Sequence, residues 1–338
     1  MLMIIFGAGA SYDSVPSLHP SISNRDRPPL ADQLFETRPE FTEAMARFPK
    51  CQPIIPYLQA TGTPVERELE RLQTEAQGYP EGLQQLAAIR YYLHSMLWDL
   101  ELRWNKVAQG VTNYKTLLDQ IQRWQSHREP VCLATFNYDT MLESALPSVG
   151  IKINTFGDYV GSERHFRLIK LHGSVNWARE IYDLPFPIPD NNLAANNKII
   201  DSIADLQISN HYRIVTSSPM GKARGALYPA LAIPFETKRS FECPEIHLSI
   251  LRQCVKQVNK LLIIGWRGME DHFLTLLHDH LSSRISVMVV SGSADEAKHT
   301  FLRIAKAGIE FDPFPPEPLN VGFSEFIVRR IGEDFLKS

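Results

Sequence analysis

The sequence predicts an α/β protein: a Rossmann-like, mainly parallel sheet with helices on both faces and a helical insertion. Three observations predict it. Short, uniformly apolar runs recur along the chain, helical patterns alternate with them from Val131 onward, and each run ends in small or polar residues. Continuous apolar runs fit strands covered on both faces, and strands alternating with helices fit a parallel sheet.

The first strand is Leu2 to Phe6. A secretion signal is not expected here, because there is no basic segment and the apolar run is short, so the run reads better as a buried strand. The strand empties into Gly7-Ala8-Gly9-Ala10-Ser11. Two glycines let the backbone turn sharply and approach a ligand, and a helix start beyond them offers N–H groups to phosphate. A dinucleotide fingerprint asks for a third glycine where Tyr12 stands, and a Walker loop asks for Gly-Lys-Ser/Thr, which does not occur after it. Alone, the stretch fits a plain turn as well as a nucleotide loop.

Between about 60 and 128 the chain changes character. Leu83, Leu86, Ile89, Leu93, Leu97, Leu100 and Trp104 recur at helical spacing, as do Leu117, Ile121 and Trp124, so two amphipathic helices are expected in a helical insertion. Further apolar strand-like runs lie at 131–136, 167–171, 261–264 and 285–290. The stretch 181–220 is rich in Pro, Asn and Asp and reads as a surface loop or lid with one strand near 212–215. A closing helix is expected over 323–335, after PFPPEP. With no repeat and no interdomain linker, 1–338 reads as one domain.

Composition narrows the function. The 35 basic and 38 acidic residues give a net charge of -3, scattered along the chain, so neither nucleic acid nor an anionic membrane is attracted globally. No apolar stretch approaches the roughly 20 residues that span a bilayer, and a cytoplasmic location is expected. Cys51, Cys132, Cys243 and Cys254 form no CxxC pair, which argues against a paired-cysteine zinc site and a disulfide framework. Cys132 reads as a small buried hydrophobe.

The residues just beyond each strand are chemically informative: Gly7 to Ser11, then Asn137-Tyr138-Asp139, His172-Gly173-Ser174, Gly265-Trp266-Arg267-Gly268 and Ser291-Gly292-Ser293. Thr140 with Glu143, and Ser293 with Glu296, match the capping box that opens a helix, so these loops sit between a strand's carboxyl end and a helix start. In parallel sheets that edge binds ligands. Singly, Asn137 and Asp139 read as turn formers, His172 as a bonded strand-end histidine, and Gly265 and Gly268 as loop residues. Together they favour a site. His272, His278 and His280 lack the four-residue step of helical metal ligands and read as solvated.

The motifs GAGAS, TFNYD at 135–139, KLHGS at 170–174 and IIGWRGMEDH at 263–272 resemble the signature of the sirtuin superfamily, in particular its bacterial NAD-cleaving branch from antiphage defence. The resemblance spans positions 7 to 272 and departs from deacetylases in three respects, the first being that the helical insertion stands where their peptide-binding side would be. Their paired CxxC zinc module is missing, and Phe136 stands where they carry Gln and the defence branch usually Thr. It therefore implies NAD hydrolysis to nicotinamide and ADP-ribose, with NAD as substrate and no metal. Protein deacylation, ADP-ribosyl transfer and non-catalytic sensing of NAD or ADP-ribose are the alternatives.

On that resemblance Gly7, Ala8, Gly9 and Ser11 would hold the pyrophosphate through backbone N–H groups. Asn137 would meet a ribose hydroxyl or the attacking water, and Asp139 would stabilise positive charge or orient its neighbours. His172, with an ordinary pKa near 6.5, would be the base. Gly265 and Trp266 would line the far side of the cofactor, and Ser291 would lie near the adenosine ribose. Relatives act by oligomerising, or with partner ATPases, Argonaute-like proteins or sensor domains, and the same kinds of partner are expected here.

Overall fold

The computed structural model describes residues 1–15, 27–124, 129–161, 165–216, 226–234 and 241–337. Among the described residues the strands are, in chain order, β1 (Leu2–Phe6), β2 (Val131–Thr135), β3 (Phe166–Lys170), β4 (Gly173–Tyr182), β5 (Gln207–Ile214), β6 (Ala226–Leu231), β7 (Lys260–Ile264), β8 (Ile285–Val290) and β9 (Phe311–Pro313). The chain divides into two compact units. The first holds 1–28, 103–172 and 245–338; the second holds 29–102 and 173–244.

The first unit is built on a six-stranded sheet in the order β3-β2-β1-β7-β8-β9, with every pair parallel. Counted within the sheet this is the 3-2-1-4-5-6 order of doubly wound folds, whose direction reverses beside the first strand. All residues of β1 and β2 are buried, as continuous apolar runs require. Helices cover both faces, and two sets of them pack among themselves. The helix Asn113–Trp124 meets Met141–Ala145, Phe323–Val328 and Glu333–Lys337, while Glu245–Val255 meets Phe156–Val160 and Asp271–His280.

Asn113–Trp124 turns Tyr114, Leu117, Leu118 and Ile121 inward at helical spacing. Its start is tied to the segment after the glycine loop. Asn113 Nδ2 donates to the Asp13 carbonyl at 2.6 Å and to Ser324 Oγ at 2.9 Å, and Trp104 Nε1 donates to Ser14 Oγ at 2.7 Å. Asp13 also accepts from the Ser324 N–H at 2.8 Å, capping the helix Phe323–Val328. The interval expected as one insertion thus falls into both units, and its last helix is a layer of the parallel sheet's own fold. The expected closing helix is two short ones, separated by Arg330 at φ 56°.

The second unit carries the antiparallel sheet β5-β4-β6 and the helices Pro39–Ala46, Ile54–Thr61, Val65–Glu75 and Asn192–Ser202, with Pro80–Ala108 as far as Leu102. Tyr91 donates to the Leu227 carbonyl at 2.7 Å and meets Tyr228 edge-on at 5.8 Å. The stretch expected as a loop therefore holds a helix and an eight-residue strand, and 217–220 of it lie outside the described residues. Among the described residues no helix is long and apolar enough to cross a membrane.

Two buried histidines make stability depend on pH. Desolvation pushes His94 and His247 down to about 4, although each also has a hydrogen bond to backbone, at Val175 and Phe156 respectively. The folded protein therefore holds them neutral while the unfolded chain protonates them near pH 6.5, so stability is full above 6.5 and is lost as pH falls toward 4. By pH 5 the loss is about 2 kcal/mol per histidine. Urea unfolding at pH 7 and pH 5 checks this: the difference shrinks in a His247→Leu variant, and an unchanged difference would contradict the assignment.

Candidate active site

The strand ends are level. Phe6 pairs with Thr135 and Ile264, Thr135 with Lys170, and Ile264 with Val290. Each ladder then continues one residue further, with Gly7 N–H on Ile264 O at 3.0 Å, Phe136 N–H on Phe6 O at 3.0 Å, Leu171 N–H on Thr135 O at 2.9 Å and Gly265 N–H on Val290 O at 3.0 Å. The loops opening at Gly7, Phe136, Leu171, Gly265 and Ser291 consequently leave the sheet along one edge. Those after β1 and β7 flank the point where strand order reverses.

At that point two backbones touch. A Cβ on Gly7 would stand 2.5 Å from Gly265 O, and one on Gly9 2.9 Å from Gly265 Cα. Gly265 has φ +62°, and a Cβ there would meet Ala10 N at 2.3 Å. These glycines are required by backbone packing before any ligand is considered. Gly9 N–H donates to Gly265 O at 3.1 Å and Ala10 N–H to Gly7 O at 2.9 Å. Of the amides from Gly7 to Ala10, that of Ala8 alone has no partner among the described residues.

Ser11, Asn137 and Asp139 meet in one buried network, joined by Tyr114, a residue that its sequence context did not single out. Ser11 Oγ donates to Asp139 Oδ2 at 2.6 Å and lies 2.9 Å from Tyr114 OH. Asn137 Nδ2 donates to Ser11 Oγ at 2.9 Å and to Tyr114 OH at 3.2 Å. Asp139 Oδ1 accepts the Met141 N–H at 3.1 Å, at the start of the helix Met141–Ala145. Desolvation, with the nearby Asp139 charge, pushes the Tyr114 phenol well above its ordinary value, so it stays protonated.

The expected capping box at Thr140 does not form. Glu143 instead pairs with the fully buried Lys170 at 3.0 Å, and Lys170 Nζ also donates to the Asp139 carbonyl. A buried ammonium needs a counter-charge more than a helix start needs a second cap, and Asp139 already supplies the first. At the other end Ser293 caps its helix through the Glu296 N–H at 3.1 Å, while the Glu296 carboxylate accepts from Ser291 Oγ at 2.9 Å.

His172 is 3% exposed and sits in an aromatic frame. Phe136 meets it edge-on at 4.8 Å and stacks on Trp266 at 5.4 Å with an interplanar angle of 8°. Trp266 Nε1 donates to Glu270 Oε2 at 2.5 Å, and the other carboxylate oxygen lies 3.9 Å from His172 Nε2. Glu270 is the second site residue that sequence reasoning missed. Its carboxylate faces the ring nitrogen at a distance that suits pairing with an imidazolium.

The predicted residues thus gather in two clusters linked through Phe136 and Asn137, whereas Ser291 engages Glu296 and joins neither. An open cavity of about 530 Å³, lined by Lys298, Phe301, Leu302, Phe311 and Pro316 among others, shares no residue with these loops. Among the described residues no group of three His, Cys, Asp or Glu is placed to hold a metal ion. The four cysteines are buried and none forms a disulfide among the described residues. His278 Nδ1 lies 3.1 Å from Asp279 Oδ1, and His280 Nδ1 donates to the Leu276 carbonyl at 3.1 Å.

Residues 131–219 match the SIR2-like domain family. The match begins at β2 and takes in Asn137, Asp139 and His172. Similar solved structures include a Sir2 homolog in complex with NAD, at 13% identity over 99% of this chain and 90% of that one with a TM-score of 0.39. Sir2Tm bound to a propionylated peptide aligns at 13% identity over 100% of this chain and 94% of that one, with a TM-score of 0.37. No curated protein matches.

Proposed function

We propose that this protein hydrolyses NAD, cleaving the bond between nicotinamide and ribose. The observation that carries the reading is the pairing, along one sheet edge, of His172 beside a carboxylate with Asn137 held in a closed network. Both lie within the SIR2-like match.

The positively charged nicotinamide ring is a good leaving group that departs as a neutral base, so the barrier lies in an oxocarbenium-like ribose and in placing a water. In this reading water attacks the anomeric carbon as the carbon–nitrogen bond breaks, the electron pair leaves with nicotinamide, and the water's proton passes to His172. Glu270 steadies the imidazolium so formed. Asp139 serves as an orienting group, since its carboxylate is engaged by Ser11 and Met141. The phosphate-holding role expected of Gly7, Ala8, Gly9 and Ser11 falls mainly to the Ala8 amide, with Gly7 and Gly9 providing close approach. Gly265 and Trp266 complete the far wall. The motif resemblance supports extending the reading to NAD depletion in antiphage defence, triggered by self-association or a partner ATPase, Argonaute-like or sensor protein.

Incubating the protein with NAD, with and without an acylated peptide, and resolving the products by chromatography tests the reading. Nicotinamide and ADP-ribose are expected in equal amounts without peptide. Turnover only with peptide would replace hydrolysis by deacylation, and binding without turnover at high protein concentration or with its partner would leave a sensing module.

A further inference from the structure

We propose that Tyr114 is a positioning residue that fixes which way the Asn137 amide faces; the consequence for catalysis rests on the hydrolase reading above. Counting protons leads to this assignment. Ser11 has one hydroxyl proton, and the 2.6 Å contact gives it to the Asp139 carboxylate, which can only accept. Whatever else approaches Ser11 Oγ must therefore donate. Tyr114 OH at 2.9 Å does so, and the Asn137 atom at 2.9 Å must be the amide nitrogen. The second amide proton goes to Tyr114 OH at 3.2 Å, whose own proton is already committed to Ser11.

The network is closed, and the charge on Asp139 sets its direction. Both Nδ2 protons are consumed within it, and Asn137 Oδ1 is left as an acceptor with no partner among the described residues, on a side chain that is almost wholly buried. A flipped amide would set its carbonyl against Ser11 Oγ, whose proton goes to Asp139, and could keep a bond to Tyr114 OH only by drawing that proton away from Ser11. Asn137 therefore meets its ligand as an acceptor. It takes a proton-bearing oxygen, that of a water or a ribose hydroxyl, and holds it with a lone pair facing away. Tyr114 reaches the network from the helix Asn113–Trp124, its ring packed edge-on against Phe6 at 5.3 Å and Phe323 at 5.5 Å.

Tyr114→Phe keeps that ring packing and deletes only the hydroxyl. Nuclear magnetic resonance of the Asn137 side-chain amide in the full protein gives a readout independent of turnover. In the wild type both amide protons should exchange slowly; in Tyr114→Phe at least one should exchange about tenfold faster or more, with thermal unfolding still cooperative. Where the wild type cleaves NAD, kcat should fall roughly 10- to 100-fold while KM moves less than about twofold. Should Tyr114→Phe fail to fold, Ser11→Ala removes the other acceptor and must give the same amide signature. An Asn137 amide that stays protected in the folded variant overturns the proposal, whatever happens to kcat. Loss of protection in a protein that never turns over NAD upholds the lock and removes the hydrolase reading instead.

Discussion

On the hydrolase reading, replacing His172 by Ala should lower the rate of nicotinamide release by about 10²- to 10⁴-fold, the contribution of a positioned acid–base group, and should leave NAD affinity nearly unchanged. Asn137→Ala should have an effect of the same order, because it removes the Oδ1 acceptor that the amide's bonds to Ser11 and Tyr114 leave free. The two losses combine to less than their product, since both act on one water. Asp139→Asn is damaging by another route. It keeps the shape but offers Ser11 a neutral acceptor, or an amide turned the wrong way, and the direction of the network is no longer imposed. Glu270→Gln should be milder, because it keeps the side chain's shape and removes only the charge 3.9 Å from the His172 ring. Steady-state rates across pH, with calorimetry for NAD binding, check the set. A His172→Ala variant as active as wild type would make His172 structural.

The second large effect is on stability. Lys170 is fully buried, its ammonium 3.0 Å from Glu143, and Tyr159 OH donates to the same carboxylate oxygen at 3.2 Å. Removing one member of such a pair leaves an uncompensated charge, so Glu143→Leu and Lys170→Met should each cost about 3–5 kcal/mol. Replacing both, as Lys170→Met with Glu143→Leu, should cost much less than the sum. The residual cost contains the lost bonds from Lys170 to the Asp139 carbonyl, which ties the pair to the loop after β2, and from Tyr159 OH to Glu143. Chemical denaturation of the four proteins closes the cycle. Single variants within about 1 kcal/mol of wild type would mean the pair is solvated.

Five strands of the parallel sheet were legible because they are buried and largely apolar and each is followed by small or polar residues; β9, which is exposed over Asp312 and Pro313, was not. β4 was not, since its inward residues alternate with Asn176, Arg179 and Glu180, and β6 carries Pro229 in its middle. The helix Asn192–Ser202 is hidden by its own asparagines, and the one just before it, Asn191, caps it through the Ala194 N–H. At the site, Asn137, Asp139 and His172 stood out as polar residues where a strand stops. Tyr114 did not, because an aromatic at helical spacing reads as core and its hydroxyl gains meaning only from the fold. Glu143 was misjudged for a related reason: its competing partner, Lys170, is 27 positions away and looks like an ordinary strand-end lysine.

The hydrolase claim is tested most directly by running the reaction in water enriched in ¹⁸O and weighing the product. Attack of water at the anomeric carbon predicts ADP-ribose carrying one ¹⁸O atom, formed one for one with nicotinamide and absent with His172→Ala. Nicotinamide released without labelled ADP-ribose, the sugar having passed to another acceptor, would contradict hydrolysis, as would NAD left intact by the wild-type protein in its assembled state.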